Sequence, residues 1–375
     1  MPKIIHTGDI HLDAPFSLSD VQKARMRKNE LRETFENLIL FAKNEEADLM
    51  VLSGDIFDGD FVTKETVAFL QEQFAGVPDC RFVIAPGNHD PISGKSPYQK
   101  VVFPENVYIF REETISCFSF PEIGVDVYGY AFTGSSYEKN PLAQSLNPDK
   151  NKINILAAHA DVGGKSRYCP LSVSDIANSG FDYVALGHIH KGGELKTAGK
   201  TYYAYCGCPE GRSFDECGIK GAFFADMSKT AGKLSAKFVF KRFGKRRYEK
   251  ICLDITGIAS QEALIARVRD VIQEERFGSD VLLRVRLTGR ISAEANIRAE
   301  KLTAEMLGVF FLETEDVTLP LLDYENLKTD ISIRGAFFRE LLPLLESENE
   351  EERRTAAQAL RYGLAALDGS DVVDF

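Results

Sequence analysis

No run of about 18 consecutive apolar residues occurs in the chain, so nothing in it is built to cross a membrane as a helix. The N-terminus lacks a basic region followed by an apolar core, which sets the expectation that the protein is not secreted. Cysteine is scarce, seven in 375 residues, and no pair has C-x-x-C spacing. That excludes a disulfide framework and points to reduced thiols in a cytoplasmic protein. Cys206, Cys208 and Cys217 are the one tight group, and without paired spacing they read as packing residues, not a zinc site. Positive charge is also short: 45 Lys and Arg face 56 Asp and Glu, a net of −11. Bulk electrostatics therefore oppose nucleic-acid binding, which would need a local basic surface or a metal. Histidine is rare as well, with six in the chain.

What the chain does have is a repeated alternation of helical and buried-strand patterns. Residues 21–46 carry Leu31, Phe35, Leu38, Ile39 and Ala42 at helical spacing among charges. Leu49-Met50-Val51-Leu52 then reads as a strand buried on both faces. Residues 64–75 are again helical, and "RFVIAPGNHD", "NKINILAAHADVGG" and "FDYVALGHIHKGG" repeat the theme of a buried run with a polar stop. Strand–helix repetition implies stacked α and β layers.

The polar stops hold the rare residues. They are Gly8-Asp9-Ile10-His11, Gly54-Asp55, Gly87-Asn88-His89-Asp90, His159, and Gly187-His188-Ile189-His190. Five of the six histidines lie in these segments, and only His6 falls outside. Any one of them could be a solvated turn or core residue. Five together at strand ends, where α/β folds place their chemistry, point to a site. The set offers Asp, Asn and His but no Cys, a donor mixture suited to Mn²⁺, Fe²⁺ or Zn²⁺. There are more donors than one ion needs, so a carboxylate, Asp55 among them, could bridge two ions as in two-metal phosphoryl-transfer sites.

The order D-x-H, G-D-x-x-D, G-N-H-D, lone H and G-H-x-H across residues 9–190 resembles the calcineurin-like metallophosphoesterase superfamily. The resemblance implies an α/β fold, a four-layer α-β-β-α sandwich. It implies two divalent ions, most often Mn²⁺, with Fe, Zn or Mg as alternatives. Asp9, His11, Asp55 and His190 would hold one ion, and Asp55, Asn88, His159 and His188 the other. His89 would be catalytic, contacting the scissile phosphate and protonating the leaving oxygen. Asp58 stands where some nucleases of this family carry histidine, and would be a carboxylate partner for His89.

Residues 203–227, "YAYCGCPEGRSFDECGIKGAFFADM", are similar to the segment after G-H-x-H in SbcD-type DNA repair exonucleases, and "YCPLSVSDI" with "GFDYVALGHIHKGG" resembles their YhaO-type bacterial branch. Cys208 and Glu210 depart from that pattern. The resemblance implies a Mn-dependent DNA nuclease acting in repair with an SbcC-like coiled-coil ATPase, in the cytoplasm and away from membranes, with a homodimer possible. The rival expectation is a phosphatase or phosphodiesterase of small molecules.

After about residue 230 the pattern changes. Residues 233–250 hold eight Lys or Arg and one acid, either a solvated strand edge or a phosphate-contacting strip. Residues 250–325 form a second strand–helix pattern, and the resemblance implies a small α/β capping domain there, following a nuclease domain of residues 1–245. Its helix runs over 260–275, with Ser260 as cap and Leu264, Val268, Val271 and Ile272 on one face. Residues 330–375 read as helical, the second helix capped by Asn349. Residues 346–375 carry eight acids and three bases, a net of −5. Phe337, Phe338, Leu341 and Leu342 look exposed there, which suggests a docking element for the ATPase, or alternatively packing on the cap.

Overall fold

Short β-rich apolar runs between glycine-containing turns form strands that are buried on both faces. The computed structural model describes residues 1–59, 62–144, 146–292, 295–321 and 323–367. Part of the acidic terminal segment, residues 368–375, lies outside them. The chain divides into two compact units, Met1–Arg247 and Tyr248–Phe375.

In the first unit, β1 (Lys3–Thr7), β2 (Leu49–Leu52), β3 (Arg81–Ile84) and β4 (Val107–Ile109) are parallel neighbours. Helices α1 (Val21–Asn44), α2 (Lys64–Ala75) and the one-turn α3 (Pro97–Lys100) connect them. The Asp20 side chain accepts the Gln22 and Lys23 N–H groups and so starts α1. Its buried stripe is the one expected from the sequence: Leu31, Phe35, Leu38, Ile39 and Ala42. Five strands follow, β5 (Ser116–Phe120), β6 (Val125–Gly129), β7 (Ile153–His159), β8 (Asp161–Val162) and β9 (Pro170–Leu171), and then helix α4 (Val173–Asn178). After it come β10 (Tyr183–Gly187), β11 (Lys196–Ala198) and β12 (Thr201–Tyr205). A second six-stranded sheet has the order β11-β12-β10-β7-β6-β5, while β8 and β9 pair alone. The hairpin of β13 (Gly221–Thr230) and β14 (Lys233–Arg242) returns to the first sheet, β13 antiparallel to β1 and β14 at its edge.

Side-chain alternation makes the layers. Ile153, Ile155 and Ala157 of β7 and Tyr183 and Ala185 of β10 join a core shared with Ile4, Val51 and Phe82 of the first sheet and Phe35 of α1. The intervening Leu156, Ala158, Val184 and Leu186 face a second core that contains Ile176 of α4. The result is an α-β-β-α sandwich. All the parallel strands of both sheets present their C-terminal ends to one rim.

Glu210, one of the two departures from the family pattern, sits in the β12–β13 connection and is fully buried. It pairs with the buried Arg27 of α1, accepts the Thr34 hydroxyl (2.9 Å), and accepts the Lys245 and Arg246 backbone N–H groups (2.6 and 3.2 Å). Glu30 completes the group, 2.6 Å from Arg27 and 2.8 Å from Arg246. Glu210→Ala would leave Arg27 buried with half its counter-charge, which costs about 3–5 kcal/mol. Urea unfolding should show that loss, with part of it recovered by adding Arg27→Met. An unchanged midpoint would mean that the network is energetically idle.

Much of the basic strip is spoken for. Lys245 pairs with Glu33, Arg246 with Glu30, and Lys241 lies 3.9 Å from Glu45.

In the second unit, β15 (Arg247–Asp254) begins a three-stranded sheet. Helix α5 (Gln261–Glu274) starts as expected at Ser260, whose hydroxyl accepts the Ala263 N–H. Then come β16 (Val281–Thr288), β17 (Arg290–Ile291), the short α6 (Ala304–Leu307), β18 (Phe311–Asp316) and β19 (Leu319–Pro320). The main sheet is β15-β16-β18, and Leu264, Val268 and Ile272 of α5 pack on it, with Val271 at the margin. Helices α7 (Tyr324–Thr329), α8 (Ile333–Leu345) and α9 (Glu350–Leu367) close this unit.

The apolar cluster expected to be exposed on these helices is not. Phe338 is fully buried against Leu327, Leu360 and Leu364, with Phe337, Leu341 and Leu342 partly buried beside it. The helical period turns that stripe inward onto α9 and α7. Arg361 of α9 further ties it to Asp316 at 3.0 Å. The 330–375 segment thus lies in the same compact unit as residues 250–325. No helix among the described residues is long and apolar enough to cross a membrane.

Candidate metal centre

The rim of the sandwich gathers the polar stops. Asp9 and His11 follow β1, Asp55 follows β2, Asn88 and His89 follow β3, His159 ends β7, and His188 and His190 follow β10. The turns that aim them are sharp. Asp9, His11, Asp55 and His188 all have positive φ, at 49°, 50°, 52° and 96°. Such conformations cost about 1–3 kcal/mol each and persist where surrounding structure over-determines them. Two glycines make room. A Cβ on Gly187 would meet the Ser53 carbonyl oxygen at 1.8 Å, and Gly54, at φ +90°, lies against His159.

Asp9, His11, His159 and Asp55 are almost completely inaccessible to solvent. Among the described residues neither Asp9 nor Asp55 forms an ion pair with a Lys or Arg, and desolvation outweighs the more distant His190 and Arg212 to push Asp9 up to about 7. Burial pushes His11, His159 and His188 down to about 4, so these imidazoles are neutral at pH 7.

The hydrogen bonds decide the tautomers. His11 Nδ1 lies 2.9 Å from Asp58 Oδ1, and His190 Nδ1 lies 2.6 Å from Glu216 Oε1. A carboxylate only accepts, so each Nδ1 carries a proton; neutral His11 then has its lone pair on Nε2, while His190, which burial would lower, is held above the usual histidine value by Glu216 and Asp9. Those two Nε2 atoms are 3.2 Å apart. Two lone pairs at that distance repel unless one takes a proton or a shared cation lies against both. The same logic holds on the other side. His159 Nδ1 donates to the Ser53 carbonyl (2.9 Å), and its Nε2 lies 2.9 Å from Asn88 Oδ1. Between the two pairs sits a single oxygen, Asp55 Oδ2, 3.7 Å from His11 Nε2 and 3.3 Å from His159 Nε2. Buried carboxylates and opposed acceptor pairs are the chemistry of a cation site, so these residues fit divalent metal ions.

Donor atoms within 4.8 Å of one another form the groups Asp9–His11–His190, Asp9–Asp55–His159 and His11–Asp58–His89. His188 enters none of them among the described residues. Its backbone N–H donates to both oxygens of Asp9 (3.0 and 3.1 Å), and its ring lies 4.7 Å from that of Tyr168. His89 is about half exposed and touches Asp58 Oδ1 through Nδ1 at 3.2 Å, which raises its pKa above the usual histidine value. Asp58 therefore serves two histidines, and these bonds hold its carboxyl well below the usual range. His6, the outlying histidine, is sealed in β1 and hydrogen-bonded to the Tyr183 hydroxyl at 2.7 Å.

Three residues with no role assigned from sequence complete the surroundings. Asp90 accepts N–H groups from Asp55, Ile56 and Gly87 and the Tyr98 hydroxyl, which locks the β2 and β3 turns together. Arg212 reaches Asp58 (3.6 Å) and Glu216 (3.1 Å). Glu216 itself would be raised by burial, but His190 and Arg212 hold it down to about 2. The i, i+4 spacing of Arg212 and Glu216 is visible in "GRSFDE", yet only the fold brings His190 to them. Carboxylates behind ligating histidines typically contribute 10–100-fold to metal affinity. Glu216→Gln should therefore weaken Mn²⁺ binding by about that factor in titration calorimetry, and an unchanged affinity would separate Glu216 from metal holding.

The model of the calcineurin-like phosphoesterase family matches residues 2–192. The chain belongs to that family. Its members are hydrolases that use divalent metal ions, and the donor set at the rim accords with that chemistry. The chain is 30% identical over 299 residues to the uncharacterized metallophosphoesterase YhaO of Bacillus subtilis, covering 76% of this chain and 71% of that one. It is 27% identical over 252 residues to the DNA double-strand break repair protein Mre11 of Saccharolobus solfataricus, covering 63% of each chain. It is 27% identical over 218 residues to an SbcCD nuclease component of Staphylococcus epidermidis, covering 50% of this chain and 56% of the relative.

Proposed function

We propose that this phosphoesterase is a two-metal DNA nuclease, Mn²⁺-dependent, cytoplasmic and active in DNA repair beside an SbcC-like ATPase. The observation that carries the two-ion reading is the position of Asp55 Oδ2 between two opposed acceptor pairs. Asp9, His11, Asp55 and His190 would hold one ion, and Asp55, Asn88, His159 and His188 the other. Bound there, the ions supply a water of lowered pKa and neutralise charge on the phosphate. The chain's own residues supply the rest. Asp58 and Glu216 orient His11 and His190, and Ser53 orients His159. His89, whose pKa the Asp58 hydrogen bond raises, would give its proton to the departing oxygen. DNA as substrate is supported by the names of two relatives, the repair protein Mre11 and the SbcCD nuclease. Helices α8 and α9 remain the proposed ATPase contact, through outward residues such as Ile333, Leu344 and Tyr362.

Incubation with Mn²⁺ and end-labelled linear duplex, single-stranded DNA and p-nitrophenyl phosphate esters tests the reading. Cleavage of DNA is expected. Hydrolysis of the small esters with both DNA forms left intact would select the small-molecule phosphoesterase instead.

A further inference from the structure

Beside the metal centre lies an open cavity of about 830 Å³. Asn88 and His89, which follow β3 at the metal centre, line it together with Lys95, Arg167 and Tyr168. Among the described residues no carboxylate lines it, although the chain as a whole carries a net charge of −11. Lys95 is exposed and has no ion-pair partner among the described residues. Among the described residues the Arg167 side chain pairs with Glu138 alone, at 3.2 Å in a highly exposed pair, which is worth little and is readily exchanged for phosphate.

The aromatic wall is fixed in place. The Tyr168 N–H donates to Ser166 Oγ (3.1 Å), its carbonyl accepts the Asp161 N–H (2.9 Å), and its ring leans on His188. Gly94 and Gly134 also line the cavity, and a Cβ built on either would meet nothing within 4 Å. Neither has positive φ, so neither backbone nor packing calls for glycine there. Their effect is to keep the wall low and the backbone open to a ligand.

We infer that this cavity is a nucleotide-unit subsite, with the base stacked on Tyr168 and its phosphate held by Lys95 and Arg167. It rests on the phosphodiesterase reading, with His89 in its lining marking the leaving-group side of the scissile bond. A cavity of this size whose described lining offers two cations, one held aromatic face and no carboxylate accommodates a nucleotide, whereas inorganic phosphate uses neither the volume nor the ring. The subsite distinguishes nucleotide diesters from simple phosphate esters, which the metal donors alone do not.

The test measures competitive inhibition of p-nitrophenyl ester hydrolysis by AMP and by inorganic phosphate. Wild type is compared with Tyr168→Ala, Tyr168→Phe and the double variant Lys95→Ala/Arg167→Ala. Base–aromatic stacking predicts that Tyr168→Ala weakens AMP about tenfold or more while weakening phosphate much less, and that Tyr168→Phe restores AMP. In the double variant AMP should weaken more than phosphate. The dependence of oligonucleotide cleavage on salt should also flatten, its log–log slope falling by about 0.7 for the single-strand phosphate contact removed. Equal losses for AMP and phosphate, no loss of AMP binding, or failure of Tyr168→Phe to restore it would overturn the subsite. A wild-type enzyme that cuts no oligonucleotide would overturn the nuclease reading alone, because the AMP comparison still decides the cavity.

Discussion

Replacing Asp55 with Asn is expected to remove turnover, by about 10³-fold or more, and to lower metal occupancy at both positions together. The reason is geometric. Asp55 Oδ2 lies 3.7 Å from His11 Nε2 and 3.3 Å from His159 Nε2, within reach of both sides of the site. An amide there supplies no negative charge and presents only one oxygen. The fold should survive, because Asp55 Oδ1 accepts the His89 N–H at 2.9 Å and an Asn oxygen can do the same. Metal analysis after dialysis against Mn²⁺, run with an activity assay, reads both effects. Full occupancy in the variant, or loss at only one position, would sink the bridging role.

His89→Ala should behave in the opposite way, with both metals retained and turnover reduced about 10²–10⁴-fold. The side chain touches Asp58 and stands outside both ligand groups that contain Asp9. Its raised pKa comes first from the Asp58 hydrogen bond, against which burial works. This sets the direction of a companion experiment. If protonated His89 is the acid, activity falls as pH rises through its pKa. Asp58→Asn removes the carboxylate that lifts that pKa, so the alkaline limb of kcat/KM should move to lower pH. His89→Ala should abolish that limb. A His89→Ala enzyme with wild-type turnover, or a limb that moves upward in Asp58→Asn, would exclude His89 as the acid. Because Asp58 also faces His11 at 2.9 Å, the Asp58 variant should in addition bind Mn²⁺ more weakly.

Much of the architecture was legible in the one-dimensional pattern. The stripe of α1, the four-residue apolar run of β2, the caps at Ser260 and Asn349 and the strand-end positions of the Asp, Asn and His residues all depend on local period and local hydrogen bonding. Those signals are contained within a few residues, so they can be read without the fold. They also place Asp9, Asp55, Asn88, His159 and His188 on one rim, because parallel strands put their C-terminal ends together.

Other features depended on tertiary structure. The stripe of Phe337, Phe338, Leu341 and Leu342 reads equally as a docking face or an interior, and only the presence of α9 and α7 against it turned Phe338 inward. Glu210 looked like an unexplained departure until Arg27, 183 residues away in sequence, was found against it. Glu216 and Arg212 lie in the 203–227 segment with no role assigned to them there, yet they meet His190 and Asp58 across the rim. The sharing of Asp58 by His11 and His89, and the placing of Asp55 Oδ2 between two histidines 148 residues apart, are likewise matters of ångströms. Local sequence determines which residue types arrive at a strand end. Which atoms then lie within hydrogen-bond reach is set by sheet order, strand twist and turns held at positive φ, and those are properties of the packed chain as a whole.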